Sequence, residues 1–224
     1  MILCIDQVLS AELVSRIRST LAETDFRDGR ETAGWHARTV KQNEQADGRR
    51  PDIAELRQEV AKALQSHPLF QMAARPRRMK PLMFSRYQAG MAYGNHVDDA
   101  IMTTPQGAMR TDLSFTLFLN EPDSYEGGEL LVDSTAGEQT YKLPAGAMIL
   151  YPSSTLHRVE PVTRGERLAA VGWAQSQVRD PQQREILFDL DTTRRQEFEA
   201  NGKTRTFDML SKSLANLIRM WAEV

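Results

Sequence analysis

The stretch that decides the fold runs from residue 143 to residue 173 and reads "LPAGAMILYPSSTLHRVEPVTRGERLAAVGW". It contains three short apolar runs, "AMILYP", "LHRVEP" and "RLAAVGW", which are separated by "SST" and "VTRGE". Short apolar runs between turn-forming residues are typical of β-strands. We therefore expect three consecutive strands here, with the last two paired as an antiparallel hairpin.

The same pattern of short apolar runs separated by turn residues extends over residues 78–176. Further candidate strands in this region are "MKPLMFSRYQ", "LSFTLFLN", "GELLVDS" and "QTYKLP". None of the segments between them is long enough for the crossover helices that a parallel sheet requires. The region therefore predicts an antiparallel sandwich or a jelly roll.

Helical patterns flank this β-rich region on both sides. A strand, "ILCI", opens the chain, and Ser10 is placed to cap a helix over residues 11–22. A polar, glycine-containing loop follows, with one short strand near residues 37–41, and "PDIAELRQEVAKALQSHP" then predicts an amphipathic helix. The tail is helical again from Pro181, with a break at Gly202.

We divide the chain accordingly into three segments. Residues 1–77 form a support region of helices and loops, residues 78–176 form the core, and residues 177–224 form a helical extension. Apolar residues at helical spacing near the end of the chain predict packing on the core or on a second copy, which leaves a homodimer open; they are Leu210, Leu214, Leu217 and Trp221.

Composition narrows the class of protein. The 224 residues are 41% hydrophobic and 26% charged, and the net charge of −2 provides no basic excess that would attract nucleic acid or anionic lipid. The N-terminus has no basic leader, and its apolar run ends at Asp6, which is unlike a signal peptide or a membrane anchor. We expect a cytoplasmic protein with neither a nucleic acid nor a membrane as its partner.

The inventory of metal-binding residue types is short. Cys4 is the single cysteine, so the chain has no intrachain disulfide and no thiolate cluster. Any metal must therefore bind to nitrogen and oxygen. Only four histidines are available for this, namely His36, His67, His96 and His157.

Three of the residues that could bind a metal form a pattern. In "YGNHVDDAIM", His96 precedes Asp98 by two positions, and His157 follows 59 positions later in a predicted strand. Two histidines and one carboxylate on one face of an ion suit non-haem Fe(II), because they leave positions open for substrate and oxygen. Zinc also accepts this ligand set, so the metal stays open at this point.

Strand geometry favours one of two adjacent aspartates. Residues i and i+2 of a strand point to the same face, so Asp98 rather than Asp99 would accompany His96. In the predicted hairpin, Arg167 would lie on the same face as His157, about 7 Å away, if the register has an even sum. A guanidinium there is well suited to bind a small dicarboxylate whose other end reaches the metal.

Three segments also carry a resemblance to a known family. They are "RYQAGMAYGNHVDD" (residues 86–99), "TLFLNEPDSYEGGEL" (residues 116–130) and the opening stretch. Together they resemble the prolyl 4-hydroxylase-like catalytic domain of the Fe(II)/2-oxoglutarate-dependent dioxygenases. The loop "DGRETAGWHARTVKQNEQ" (residues 28–45) resembles the N-terminal signature of the bacterial PKHD-type hydroxylases.

The resemblance implies a mainly β chain with flanking helices and a double-stranded β-helix, or jelly-roll, core. It implies that His96, Asp98 and His157 hold Fe(2+), which would make them the catalytic centre. It also implies that Arg167 binds the distal carboxylate of 2-oxoglutarate and that Tyr87 hydrogen-bonds the same cosubstrate.

The activity implied is the hydroxylation of an unidentified substrate with O2, in which 2-oxoglutarate is converted to succinate and CO2 and L-ascorbate serves as an accessory reductant. Two other classes of function stay open. A cupin-like protein would bind a divalent metal for storage or sensing without turnover, and an interaction domain would use its helical tail to bind a partner. His36 and Asn43 lie in the family-like loop, but the resemblance gives them no role.

Overall fold

The protein, described here from a computed structural model that covers residues 1–223, combines antiparallel sheets with five α-helices. The helices are α1 (Ala11–Ala22), α2 (Pro51–Ser66), α3 (Pro68–Ala74), α4 (Pro181–Asn201) and α5 (Arg205–Trp221). The strands are β1 (Leu3–Ile5), β2 (Phe26–Asp28), β3 (Lys41–Gln42), β4 (Glu44–Ala46), β5 (Pro76–Met79), β6 (Met83–Gln88), β7 (Ala92–His96), β8 (Ile101–Thr104), β9 (Gly107–Arg110), β10 (Leu113–Phe118), β11 (Glu126–Gly127), β12 (Leu130–Ser134), β13 (Gly137–Tyr141), β14 (Met148–Pro152), β15 (His157–Val159), β16 (Val162–Arg164) and β17 (Glu166–Ser176).

Two sheets face each other to form the jelly-roll core. The major sheet has eight strands in the order β1-β14-β10-β17-β6-β4-β2, with β5 paired to the far part of β17. The minor sheet has five strands in the order β13-β12-β15-β7-β3. Strands β11 and β16 form a separate pair, as do β8 and β9.

The major sheet is buried on both faces, and alternate residues of its strands serve different purposes. In β10, the side chains of Leu113, Phe115 and Leu117 join the core that packs against α1, α2 and α3. The residues between them, Ser114 and Thr116, point the other way, into the space between the two sheets. The outer face therefore builds the main apolar core, whereas the inner face is free to carry polar groups.

Strands from the first 77 residues complete both sheets. Strand β1 extends the edge of the major sheet through pairing with β14, and β4 pairs with β6 at the other side. Strand β3 pairs with β7 and so forms an edge of the minor sheet. The N-terminal segment thus supplies sheet strands as well as the helices that cover the major sheet.

Most of the elements expected from the sequence are confirmed. The seven predicted core strands correspond to β6, β10, β12, β13, β14, β15 and β17, and the opening strand and the main helices also occur. Helix α3 was not expected, because only one residue, His67, separates it from α2. The short strand expected near residues 37–41 is instead a 3-10 turn at Ala37–Thr39 followed by β3.

The predicted hairpin between "LHRVEP" and "RLAAVGW" is wrong. Strand β15 lies in the minor sheet between β12 and β7, while β17 lies in the major sheet between β10 and β6. Each strand already has two neighbours, so neither has a free edge for the other. The chain crosses between the sheets through β16, and His157 and Arg167 therefore face each other from opposite sheets.

The two C-terminal helices pack together beside the core. Leu214 of α5 is buried against Val178 and Leu187, and Leu217 and Trp221 are partly buried in the same cluster. Three of the four residues of the predicted apolar stripe therefore pack within the chain. No helix within residues 1–223 is both long and apolar enough to cross a membrane.

Replacement of Leu64 by Ala should destabilise the fold by about 2–5 kcal/mol, because Leu64 is fully buried between α2 and the major sheet and its loss leaves a cavity. Urea denaturation followed by circular dichroism measures this change. Leu69→Ala is the matched control, since Leu69 is 40% exposed and its truncation should cost no more than roughly 0.5 kcal/mol. Equal losses in the two variants would contradict the packing described here.

Candidate active site

Two histidines lie directly opposite each other on neighbouring strands of the minor sheet. His96 ends β7, His157 begins β15, and the two residues are paired in the register with their ring centroids 4.1 Å apart. Each ring contacts a backbone carbonyl two residues earlier through Nδ1, at 2.9 Å for His96 and 3.0 Å for His157. Because a carbonyl oxygen only accepts, both Nδ1 atoms carry the proton and both Nε2 lone pairs are free to bind a metal.

A carboxylate completes this group from the loop after β7. One Asp98 oxygen lies 3.9 Å from His157 Nε2, and the potential ligand atoms of His96, Asp98 and His157 all lie within 4.8 Å of one another. The Ser114 hydroxyl donates a hydrogen bond of 2.6 Å to Asp98 Oδ2 and lies 2.8 Å from the Ser153 hydroxyl. The carboxylate is thus held in place by Ser114 of β10, whose hydroxyl also contacts Ser153.

The geometry selects Asp98 over Asp99, although not through strand alternation. Strand β7 ends at His96, so both aspartates lie in a loop where the two-residue period no longer applies. The Asp99 side chain is exposed and lies beside Gly34, and its backbone carbonyl accepts a hydrogen bond from Thr111. Asp99 therefore belongs to the rim of the site rather than to the group of three.

Burial favours the neutral imidazole that metal binding requires. Desolvation lowers the pKa of His96 to about 4, and the neighbouring His157 contributes in the same direction. The His96 ring is also stacked on Tyr93, with 3.6 Å between the ring centroids. At neutral pH, His96 consequently offers a lone pair and no charge.

Arg167 faces this group from the major sheet as a buried cation. Its side chain is 2% exposed, and no carboxylate of the described chain lies within 4 Å of it. Its Nε atom has no hydrogen-bond partner, and the guanidinium carbon lies 5.1 Å from the ring centroid of Tyr87 and 5.6 Å from that of Phe118. Because an unpaired buried charge is costly, this position calls for an anion.

Tyr87 is placed to bind the same anion. It lies directly opposite Arg167 in the β6–β17 register and is 4% exposed. Burial raises the pKa of Tyr87, so the phenol keeps its proton and acts as a neutral hydrogen-bond donor. The three potential metal ligands, Arg167 and Tyr87 all line one pocket between the two sheets.

The pocket contains further residues for which no role was predicted from the sequence. Lys41, Asn43 and Gln45 are buried and line the pocket at alternate positions along β3 and β4. Lys41 Nζ donates to the Thr32 hydroxyl at 3.2 Å, and that hydroxyl lies 2.9 Å from Gln45 Oε1. The signal that could have identified them is their two-residue spacing within "KQNEQ" (residues 41–45), a pattern of three polar side chains on one face of a strand.

Asn43 and His36 have different positions, although both lie in the family-like loop. Asn43 Oδ1 is buried without a hydrogen-bond partner, and it lies where a Cβ on residue 29 would be, so only glycine fits there. His36 is exposed and contacts the ring of Trp35, itself 83% exposed, outside the residues that line the pocket. The loop therefore contributes Asn43 to the site but not His36.

The donor set fits a specific metal and a specific ligand. Two neutral imidazoles and one carboxylate on one side of a site match ferrous iron, which keeps its remaining positions for small ligands. A buried guanidinium without a carboxylate partner, with the phenol of Tyr87 beside it, matches a carboxylate group. The residues present are therefore those that Fe(2+) and a dicarboxylate such as 2-oxoglutarate would need.

Comparison with known proteins identifies the family. The family model described as the 2OG-Fe(II) oxygenase superfamily matches residues 82–175. A PKHD-type hydroxylase from Synechococcus sp. (strain JA-2-3B'a(2-13)) is 56% identical over 224 residues, which are 100% of each chain. The chain belongs to the PKHD-type hydroxylases. Another member of this family, from Acaryochloris marina (strain MBIC 11017), is 57% identical over 223 residues, again 100% of each chain.

Solved structures support the same fold for this PKHD-type hydroxylase. A Pseudomonas putida prolyl-4-hydroxylase aligns with a TM-score of 0.52 at 23% identity, covering 78% of this chain and 92% of that chain. A prolyl hydroxylase from Trichoplax adhaerens aligns with a TM-score of 0.57 at 14% identity, covering 77% and 82%. At these sequence identities, the two alignments show a shared fold and nothing further.

Family membership decides between the classes of function that the sequence left open. The chain is an Fe(2+)- and 2-oxoglutarate-dependent dioxygenase, a hydroxylase that uses O2 and releases succinate and CO2. Its His-Asp-His group agrees with the iron dependence of the family. The alternative hypotheses, a cupin-like storage protein and an interaction domain, are therefore set aside.

Replacement of Arg167 by Met should raise the stability of the ligand-free protein by on the order of 1–4 kcal/mol, the range for apolar replacement of buried charged groups. The reason is that Arg167 is buried without a carboxylate partner within the described residues. Thermal and urea denaturation without added ligand measure the change. The control is Arg164→Met, since Arg164 is 68% exposed and should change stability by less than about 0.5 kcal/mol. A destabilised Arg167→Met protein would show that the guanidinium is satisfied within the chain.

Proposed function

We propose that His96, Asp98 and His157 bind the ferrous ion of this hydroxylase. The observation that carries this assignment is the convergence of two unprotonated Nε2 atoms and one carboxylate within 4.8 Å, with both rings fixed by carbonyl acceptors. Fixing the far nitrogen of each ring sets its tautomer and its orientation before the metal arrives. Ser114 would hold Asp98 in the same way.

We further propose that Arg167 binds the distal carboxylate of 2-oxoglutarate, with Tyr87 as a second donor. Support comes from the position of Arg167 on the sheet opposite the histidines, so that one dicarboxylate placed between the sheets reaches both sides. The guanidinium offers two parallel N–H groups to one carboxylate. The phenol of Tyr87 stays neutral and adds a donor without adding charge.

The bound iron and 2-oxoglutarate supply the chemistry, which is oxidative decarboxylation coupled to hydroxylation by O2. The chain's own residues position these groups and exclude water. Phe118, Tyr151 and Val159 belong to the apolar cluster between the sheets, and it encloses the inner end of the pocket around Arg167. A dry surrounding strengthens the pairing between Arg167 and a carboxylate, since the local dielectric is low.

Three finer assignments complete the proposal. We propose that residues 78–176 form the catalytic core, supported by residues 1–77 and followed by an extension over residues 177–224. We propose that L-ascorbate serves as an accessory reductant for the iron. We also propose a homodimer that uses the exposed side of the C-terminal helices, where Phe198, Met209 and Met220 are more than half exposed.

Asp98→Ala should abolish iron binding at the site, because it removes the only carboxylate among the three convergent groups. Anaerobic addition of Fe(II) and 2-oxoglutarate to the wild-type protein is expected to give a visible charge-transfer band, and the variant should give none. Asp99→Ala is the matched control, since the neighbouring carboxylate is exposed and should leave the band in place. Retention of the band in Asp98→Ala, or its loss only in Asp99→Ala, would overturn the ligand assignment.

Ser114→Ala should weaken Fe(II) binding by roughly tenfold to a hundredfold, the usual effect of removing a group that hydrogen-bonds to a metal ligand. The structural reason is the 2.6 Å hydrogen bond from Ser114 to Asp98. Titration of the charge-transfer band with Fe(II) at saturating 2-oxoglutarate gives the affinity. Ser85 also lies on the inner face of the major sheet but makes no hydrogen bond to Asp98. The titration of Ser85→Ala should therefore match that of the wild type. Identical titrations for Ser114→Ala and the wild type would argue against this supporting role.

A further inference from the structure

The pocket contains two cations to which the proposed function assigns no role. Lys41 and Lys80 both line it, in addition to Arg167. The pocket's other charged residues are Asp98 and Asp99. Neither lysine has a carboxylate within 4 Å among the described residues, whereas most arginines of the chain do. Buried or half-buried ammonium groups without an ion-pair partner need an explanation.

Lys41 is the more deeply buried of the two. It is 5% exposed, its hydrogen-bond partner is the Thr32 hydroxyl at 3.2 Å, and its Nζ lies 4.9 Å from the ring centroid of Tyr93. Burial lowers the pKa of Lys41 to about 8, which still leaves the amine protonated at neutral pH. An ammonium has three donor hydrogens, so at least two of those on Lys41 stay available.

Lys80 faces the same space from the major sheet. Its Nζ lies 3.5 Å from the Met102 sulfur and 5.2 Å from the ring centroid of Trp173. Burial lowers the pKa of Lys80, and the carboxylates of Asp99 and Asp98 oppose this effect from beyond ion-pair distance. Its charge in turn disfavours the protonated form of Lys41, and both lysines line the same pocket.

The backbone of Lys80 lies far along β17 from that of Arg167. The Lys80 backbone N–H donates to the carbonyl of Trp173, and Trp173 lies six residues beyond Arg167 on β17. At about 3.3 Å per residue, these two points of the strand are roughly 20 Å apart. Lys80 and Arg167 therefore enter the pocket from backbone positions that are well separated along β17.

Charge balance indicates what the pair could bind. Three cationic and two anionic side chains line the pocket, so the chain itself leaves one positive charge there. The two positive charges of Fe(2+) and the two negative charges of 2-oxoglutarate cancel each other. One positive charge thus remains for a further ligand, which favours a carboxylate over a phosphate that carries nearly two charges at neutral pH.

We propose that Lys41 and Lys80 bind a carboxylate group of the primary substrate, with the Thr32 hydroxyl beside Lys41. The inference rests on the proposed function of the same pocket and adds the chemical class of its substrate. An anionic group held between β3 and the start of β6 would leave the rest of the substrate directed toward His96, since Tyr93 contacts both Lys41 and the His96 ring.

The test uses the full chain loaded anaerobically with Fe(II) and saturating 2-oxoglutarate. The probes are acetate, benzoate and hippurate, each compared with its primary amide, together with inorganic phosphate. The thermal midpoint of unfolding reports binding of each probe, and the charge-transfer band reports whether 2-oxoglutarate stays bound. The variants are Lys41→Met, Lys41→Arg and Lys80→Met. Lys62→Met serves as control, because Lys62 is an exposed lysine of α2 outside the pocket.

At least one carboxylate should raise the midpoint more than its amide does, with the band retained. Lys41→Met and Lys80→Met should weaken this binding by roughly tenfold to a hundredfold, the value of a hydrogen bond to a charged group. Lys41→Arg, which keeps the charge, should retain most of it, and Lys62→Met should match the wild type. Carboxylates that act no better than their amides would overturn the proposal, as would equal binding by Lys41→Met.

Two further outcomes would contradict this proposal, and a third would contradict the proposed function of the pocket instead. A stronger effect of phosphate than of any carboxylate would overturn the assignment of the anion as a carboxylate. Weaker binding of 2-oxoglutarate in Lys41→Met, seen as a shifted titration of the band, would assign the lysine to the cosubstrate and also overturn it. Absence of the band in the wild-type protein would instead reject the proposed function of the pocket.

Discussion

The direct opposition of His96 and His157 across β7 and β15 is the constraint on which the rest of the site depends. Side chains of directly opposed residues share one face of a sheet, whereas a slip of one residue would turn one ring to the other face. The register is held by β12 on the far side of β15 and by β3 on the far side of β7. Two flanking strands that carry none of the three potential ligands thus determine whether the two imidazoles meet, because they fix the strands from which both rings extend.

The major sheet has a different role, since it buries polar groups on one face while the fold stays stable. Its outer face packs Phe115 and Leu168 into a large apolar core under the helices, while its inner face buries Ser114, Tyr87 and Arg167. The Ser114 hydroxyl is satisfied locally, but the guanidinium is not paired with any carboxylate of the described chain. A fold that carries such a group sacrifices stability for ligand binding, and the continuous core on the opposite face offsets that cost.

Local sequence patterns predicted the strands well because each strand is an apolar run bounded by turn residues, and "AMILYP" and "LSFTLFLN" occur as β14 and β10. They did not predict which strands are neighbours. The hairpin between β15 and β17 failed because the choice of sheet depends on free edges, which no local pattern encodes. Asp98 stays a predicted ligand, but the alternation from which it was predicted ends two residues earlier; a loop and the hydroxyl of Ser114 place its carboxylate beside the two histidines instead.

The charges of the pocket also bear on the order in which its ligands bind. Before any ligand is present, Asp98 faces two neutral imidazoles, so the divalent ion meets a favourable carboxylate despite the nearby cations. Once the ion is bound, the pocket carries a larger positive charge, which favours the doubly charged 2-oxoglutarate over a singly charged competitor. Once 2-oxoglutarate has offset the charge of the ion, the pocket returns to the single positive charge of its own side chains. The doubly charged cosubstrate is therefore favoured over a singly charged substrate at the iron-bound stage, and the substrate still meets a net positive charge afterwards, so electrostatics alone would favour binding of the cosubstrate before the substrate.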